Sequence, residues 1–380
     1  MKTRRKLRAL TVSFAMATAL AGCTTKAEPL PDDWWQAYPE EECNFSRDYL
    51  PAIQSQPYYI GNRNGAVDPV AHRKAMDASR PLRNLLSRNL DTQRRVEAGN
   101  AKSVICAERE LAFWARNDAL LGNNTNRGFY ERIWYAAGLG IAYANNSRLL
   151  ASQGQRRPVQ TDRIVTDWFN RLAHDTRRAM EADRAAFDPS MARQSYRPPE
   201  EHDTGNLGAW AAYFAIIAGI LSEDPELLAW GRDRTEMMLA TVDRYGMLPS
   251  EVARANRALH YHFFALNPLV GSAILLERAG EPLPGRSHDA LRSLVRFSLR
   301  ETRNPVAIMQ AAGVRSIQNP AENETRERLM LGPALYCAYI DRDLPECDLV
   351  PRSDSLNFPY MGGTTGEWAL ATEELTRSGR

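Results

Sequence analysis

The chain has 380 residues, 44% hydrophobic and 25% charged, and its 48 Lys and Arg against 46 Asp and Glu leave a formal charge of +2. Such a balance provides no global basic field to draw in nucleic acid or another polyanion. Recognition of an acidic polymer must therefore come from local arginine clusters, because surface charges act over about a Debye length, roughly 10 Å.

Residues 1–22 carry Lys2, Arg4, Arg5, Lys6 and Arg8, then a short apolar run, then Leu20-Ala21-Gly22-Cys23. A basic head, a greasy stretch too short to span a bilayer and small residues before a cysteine define an export signal of the lipoprotein kind. Cys23 is thus expected to be the lipidated first residue of the mature chain. Thr24 stands where an inner-membrane retention Asp would sit, so the expected location is the periplasm, anchored to the outer membrane. Loss of the five leader charges leaves 43 basic against 46 acidic residues, a net of −3. Residues 23–40 are rich in Pro and acid and read as a lipidated tether, in which Trp34 and Trp35 are placed to pack on the domain or on a bilayer surface.

From residue 41 to 380 the pattern is helical almost throughout. Apolar stripes at helical spacing cover 69–97, 103–121, 127–151, 160–186, 206–221, 225–244, 251–279, 286–301 and 324–341. Breaks fall at 122–124, 197–200, 281–285 and 304–305, and no alternating strand pattern stands out. Successive helices joined by short polar turns form hairpins, so the fold class is all-α in a single domain. Four cysteines follow Cys23, namely Cys43, Cys106, Cys337 and Cys347, an even number that suits disulfides in an exported chain and leaves three pairings open. No CxxC or HxxxH spacing supports a metal site, and no nucleotide-binding loop is present.

The stretch 246–269, GMLPSEVARANRALHYHFFALNPL, organises the chain. A turn at Gly246 and Pro249 leads to Ser250 as expected N-cap and Glu251 in the first turn of a helix. Steps of three, four and seven then return Arg257, His260, Tyr261 and Phe264 to one face, with His262 roughly opposite.

The words LPxE and RALxYHxxAL followed by PL resemble the alginate lyases of polysaccharide lyase family five, which cut mannuronate-rich polymers by β-elimination. GNLGAWAAY (205–213) resembles the family's NNHSYWAAW, CAERELAFWARNDALL (106–121) its Cys-Trp-Ala-Leu-Leu helix, and NFPYMGGTT (357–365) its NFRLGGDVT. The resemblance covers most of the chain after residue 40. It implies an α/α toroid, a ring of helical hairpins around a cleft, and the pairings Cys43 with Cys106 and Cys337 with Cys347. It also implies an acidic, uronate polysaccharide as partner and no cofactor.

β-Elimination from a uronate needs donors that neutralise the sugar carboxylate so that C5 becomes acidic, a base for that proton, and an acid for the departing O4. In the family, Asn and His of NNH and Arg of RAL serve the carboxylate, and a Tyr seven residues after that Arg is tied to the proton transfers. Here the resemblance carries the Asn to Asn206 and the Arg to Arg257, whereas the His position is Leu207 and the Tyr position is Phe264. His260 is the candidate relocated base and Tyr261 the candidate acid. The rival reading is that Tyr261 and His262 form a structural pair and His260 is a bystander. Asn126 and Arg127, in a loop resembling the family's YNHTGK, are candidates for sugar contact, as are His202 and Trp210, although a Trp in such a helix is more often core. The expected function is a lyase of altered catalytic residues on a uronate polymer. The alternatives are a non-catalytic polyuronate-binding module of an exopolysaccharide system and a scaffold with a vestigial cleft.

Overall fold

The computed structural model describes residues 35, 38–60, 66–185, 205–322, 326–351 and 356–378. The leader with Cys23, Trp34, the expected break at 197–200 and His202 lie outside the described residues. Helices α1 (Pro69–Ala78), α2 (Arg80–Leu90), α3 (Thr92–Glu97), α4 (Lys102–Arg116), α5 (Asn126–Ala151), α6 (Val159–Ala185), α7 (Asn206–Leu221) and α8 (Pro225–Leu239) build the first part. Then come α9 (Pro249–Val252), α10 (Ala258–Ala279), α11 (Gly285–Arg303), α12 (Val306–Ala312), α13 (Arg326–Leu329), α14 (Leu331–Tyr339) and α15 (Thr365–Ser378). Two antiparallel ribbons complete it, β1 (Tyr59–Ile60) with β2 (Ala66–Val67) and β3 (Asn357–Phe358) with β4 (Gly363–Thr364).

The architecture is an α/α toroid. Helices α5, α7 and α10 are apolar or small on nearly every side and are buried almost throughout, so they form the inner wall. The amphipathic α2 and α11 bury one stripe and give the other to solvent. Helix α7 sits at the centre, packed on α8, α10, α5 and α6, while α5 packs on α15 and α2, and α10 on α14 and α11. Local chemistry fixes the helix starts. Asp68 and Asp224 accept backbone N–H groups at the starts of α1 and α8, where Pro69 and Pro225 supply the first residue. Thr125 caps α5 by accepting from Gly128 N at 3.1 Å.

Several expectations are corrected, among them 324–341, which is two helices, Arg326–Leu329 and Leu331–Tyr339. The stretch 69–97 is three helices, because Pro81 opens a new one after Ser79 and another begins after Asp91. The stretch 251–279 does not run as one helix. Its first turn begins at Pro249 behind Leu248, Ser250 is not the cap, and Ala255 adopts φ 54°, so a 3-10 turn over Ala255–Arg257 separates α9 from α10. Arg257 is therefore the residue before α10 rather than part of its face. Helix α15 and both ribbons were not among the expected elements. Both disulfides form as the resemblance implied, Cys43–Cys106 and Cys337–Cys347, with Cα separations of 5.2 and 5.8 Å. Trp35 packs on the domain, its ring 4.2 Å from the Arg109 guanidinium.

Candidate active site

A cavity of about 220 Å³ opens between the inner ends of α5 and α10, roofed by the β1–β2 ribbon and walled by β3 and the turn after it. Its volume lies below the roughly 300–1,000 Å³ usual for ligand pockets, which suits about one sugar ring rather than an extended ligand. Arg127 and Trp134 reach it from α5, and His260, Tyr261 and Phe264 from α10. Tyr58 and Tyr59 come from the ribbon, Arg328 from α13, and Phe358 and Tyr360 from the far hairpin. Gly138 permits that hairpin to close on α5: a Cβ there would lie 2.3 Å from the Pro359 carbonyl oxygen.

Two arginines are held by two adjacent tyrosines. Arg127 donates to Glu131 Oε1 at 2.9 Å and to the Tyr58 hydroxyl at 2.9 Å, and its guanidinium also lies 5.0 Å from the Trp134 ring. Arg257 does not itself line the cavity but packs against two of its wall residues. Its guanidinium lies 4.1 Å from the Tyr59 ring and 5.3 Å from the Tyr261 ring, and one nitrogen reaches the Tyr261 hydroxyl at 3.4 Å. Only 7% of Arg257 is exposed, no carboxylate of the described residues pairs with it, and its Nε has no hydrogen-bond partner. A nearly buried cation without a counter-ion is costly, and cation–π contacts recover only part of that cost. Its chemistry calls for an anion.

The proton-transfer candidates meet in the same space. His260 is half-buried, its ring 5.4 Å from that of Tyr261. Burial, with the Arg257 charge beside it, lowers the imidazole to about 4, so at neutral pH it is uncharged and able to accept a proton. Burial raises the phenol of Tyr261, which therefore keeps its proton and can give it up only to a strongly basic leaving group. Tyr59 is raised as well, first by burial and then by Tyr58.

Several expected residues are elsewhere. Asn206 is 1% exposed, and its side-chain nitrogen lies 3.0 Å from both oxygens of Glu251, which also accepts its backbone N–H at 2.6 Å. Its donors are spent on a buried carboxylate, so Asn206 does not face Arg257 across an open groove. Trp210 is fully buried beneath Phe264, Phe358 and Tyr360, 5.3 to 6.1 Å between ring centres, and backs the wall instead of offering a face to a sugar. Asn126 is exposed in the first turn of α5 and does not line the cavity. His262 is structural: Nδ1 lies 2.8 Å from the Ala258 carbonyl and Nε2 accepts from Leu248 N at 2.9 Å. Leu207 is half-buried against the core.

Sequence reasoning missed Tyr58, Tyr59, Glu131, Trp134 and Arg328. The run Tyr58-Tyr59-Ile60 directly before Gly61-Asn62-Arg63-Asn64-Gly65 is a hairpin signal that would have placed two aromatics on a ribbon. The others carried none.

A ring of helical hairpins whose cleft presents arginines, phenols and an uncharged imidazole defines an α/α toroid equipped for an acidic ligand. Consistent with this, the alginate lyase family model matches residues 52–308, more than half of the chain, and the chain belongs to that family. A polysaccharide lyase of Stenotrophomonas maltophilia is 27% identical over 270 residues, 69% of this chain and 74% of the relative. An alginate lyase of Pseudomonas entomophila is 27% identical over 278 residues, 71% and 70% respectively. Among solved structures, a Tyr-to-Phe variant of alginate lyase A1-III, a protein of Sphingomonas species A1, complexed with tetrasaccharide has a similar fold. Its TM-score is 0.61 at 21% identity, covering 89% of this chain and 92% of that one.

Proposed function

We propose that this protein binds an acidic, uronate polysaccharide in the cleft lined by Arg127, His260 and Tyr261, with Arg257 against the Tyr59 and Tyr261 rings of its wall, and cleaves it by β-elimination with a relocated acid/base pair. The observation that carries the reading is Arg257, a buried guanidinium without a counter-ion, beside an uncharged His260 and a protonated Tyr261. Arg257 neutralises the sugar carboxylate, which lets charge from C5 spread as an enediolate. His260 takes the C5 proton, the electron pair forms the C4–C5 double bond, the C4–O4 bond breaks, and Tyr261 protonates O4. An imidazole whose conjugate acid has a pKa of about 4 is a weak base, so slow turnover is expected. No cofactor enters these steps. Phe264, which the family resemblance places at the tyrosine position, lies in the cleft wall without a hydroxyl.

A second reading, a polyuronate-binding module without turnover, is favoured by Phe264 and by the committed donors of Asn206. Binding in this fold is compatible with the loss of one phenol, since the Tyr-to-Phe variant of alginate lyase A1-III is complexed with tetrasaccharide. One experiment divides the two. The purified protein is incubated with polymannuronate, polyguluronate and polyglucuronate, and the near-ultraviolet absorbance of the unsaturated sugar product is followed. Silence on all three rejects the lyase; calorimetric binding that Arg257→Ala weakens then leaves the module.

We further propose a periplasmic location on a lipid anchor at the outer membrane, a reading that the basic leader and Cys23 support. Mass spectrometry of the membrane fraction should find acylated Cys23, and Cys23→Ala should release the protein.

A further inference from the structure

A second groove, of about 640 Å³, lies on the outer surface between the loop 243–247 and helices α11 and α12, and shares no lining residue with the cleft. Three arginines line it. Arg296 and Arg300 stand one turn apart on α11, about 6 Å along the helix axis, a spacing on the scale of one sugar unit. Arg244 crosses from the loop, its guanidinium 4.7 Å from the ring of Tyr245 and donating to the Tyr245 hydroxyl at 2.7 Å. Tyr245 leaves 60% of its surface in solvent, an unusual exposure for an aromatic that a core does not need.

The loop is rigid by construction. Asp243 Oδ1 accepts the N–H groups of Tyr245 and Met247, both at 2.9 Å. Gly246 adopts φ 90°, and a Cβ there would lie 2.4 Å from the Ser293 carbonyl oxygen on α11. Two of the three arginines already share a carboxylate, which leaves Arg244 as the guanidinium open to a ligand acid group. Glu301 accepts Ile308 N at 2.9 Å, and Glu346 is shared by Arg300 at 2.5 Å and Arg296 at 3.6 Å. Arg244 has no carboxylate partner among the described residues.

We propose that this groove is a second polysaccharide site that holds a distant stretch of the same acidic polymer. Arginine forks match carboxylates, the polymer carries one carboxylate per sugar, and the exposed phenol ring offers a stacking face. Its ligand class rests on the polyuronate reading of the cleft. Tethering a long chain at two points raises its local concentration at the cleft without any new contact there.

The test titrates the purified protein with long polymannuronate, with dextran as the uncharged control. It compares wild type, Arg257→Ala, the loop pair Arg244→Ala/Tyr245→Ala, and all three together. The loop residues are exposed, so the pair should melt with the wild type; Arg296→Gln provides an independent variant. The expected result is that the pair weakens polymer affinity about fivefold or more in both backgrounds, steeply with salt, and leaves dextran unbound. Affinity within twofold of the parent in both backgrounds for the pair and for Arg296→Gln overturns the groove. If Arg257→Ala alone abolishes binding, the cleft reading stands and the groove falls. If binding follows the loop pair and ignores Arg257, the groove stands and the cleft reading falls. Absence of binding by the wild type refutes both.

Discussion

The side-chain nitrogen of Asn206 lies 3.0 Å from each carboxylate oxygen of Glu251, in a position where neither residue meets solvent. The pair joins the start of α7 to α9, and Arg254 approaches Glu251 at 3.5 Å from the turn that follows. Asn206→Ala would deprive a buried carboxylate of a donor, and a loss of about 2–4 kcal/mol is expected, read as a lower melting midpoint in urea. Uronate affinity of the folded fraction should stay within about threefold. A loss of affinity with stability unchanged would instead put Asn206 against the ligand.

Arg257→Ala should behave in the opposite way. It removes a cation with no counter-ion, so the gain from that and the loss of cation–π contact nearly offset, and stability should move by less than about 1 kcal/mol. Uronate affinity should fall tenfold or more. Arg257→Lys should not rescue it, since an ammonium lacks the planar fork. Calorimetry and thermal melts on the same samples decide this.

The pH dependence follows from two histidines. His260 and His262 are each lowered to about 4, the first by burial and Arg257, the second by burial against a partial opposing effect of the Ala258 carbonyl. In the unfolded chain both titrate near 6.5. The folded state then binds fewer protons between those values, so its stability is full above about 6.5 and falls as pH drops towards 4, by roughly 1.4 kcal/mol per pH unit for each group. Proton resonances of the two imidazoles should not move above pH 5. A titration of either near 6.5 would contradict the burial.

Restoring the family residues, Leu207→His with Phe264→Tyr, should create or raise cleavage of polymannuronate. Phe264 sits in the cleft wall against Trp134, 5.4 Å between ring centres, and next to Tyr261. A properly placed acid/base group contributes about 10²–10⁴-fold. A double variant that folds, binds and remains silent would show that the cleft has diverged beyond those two positions.

The disulfides should differ in weight. Cys43–Cys106 closes a separation of 63 residues and Cys337–Cys347 one of 10. Loop entropy then gives about 4 kcal/mol for the first and about 3 for the second. Denaturant melts of Cys43→Ser/Cys106→Ser and Cys337→Ser/Cys347→Ser should rank in that order.

Helical periodicity located α5, α7, α10 and α11 because each buries a long apolar surface, and burial imprints its period on the residues directly. Periodicity failed at Arg257. Ala255 leaves helical space in a segment whose composition still reads as helix, and a single left-handed residue writes no periodic signal. Family resemblance singled out Arg257 and the loop with Arg127, and helix-face spacing singled out His260 and Tyr261; Arg127, His260 and Tyr261 line the cleft, and Arg257 packs on Tyr59 and Tyr261 beside it. Trp210 shows the limit of motif reading: its residue type fits both core and platform, and only its position under Phe264 separates them.

The amino-acid order by itself determined the helical class and, through family motifs, the ring and both disulfide pairings. Tertiary structure decided who meets whom. Tyr59 comes over Arg257 from nearly two hundred residues away, and Asn206 spends its donors on Glu251 instead of a ligand. Such choices depend on distances between segments far apart in the chain, and local pattern carries no record of them.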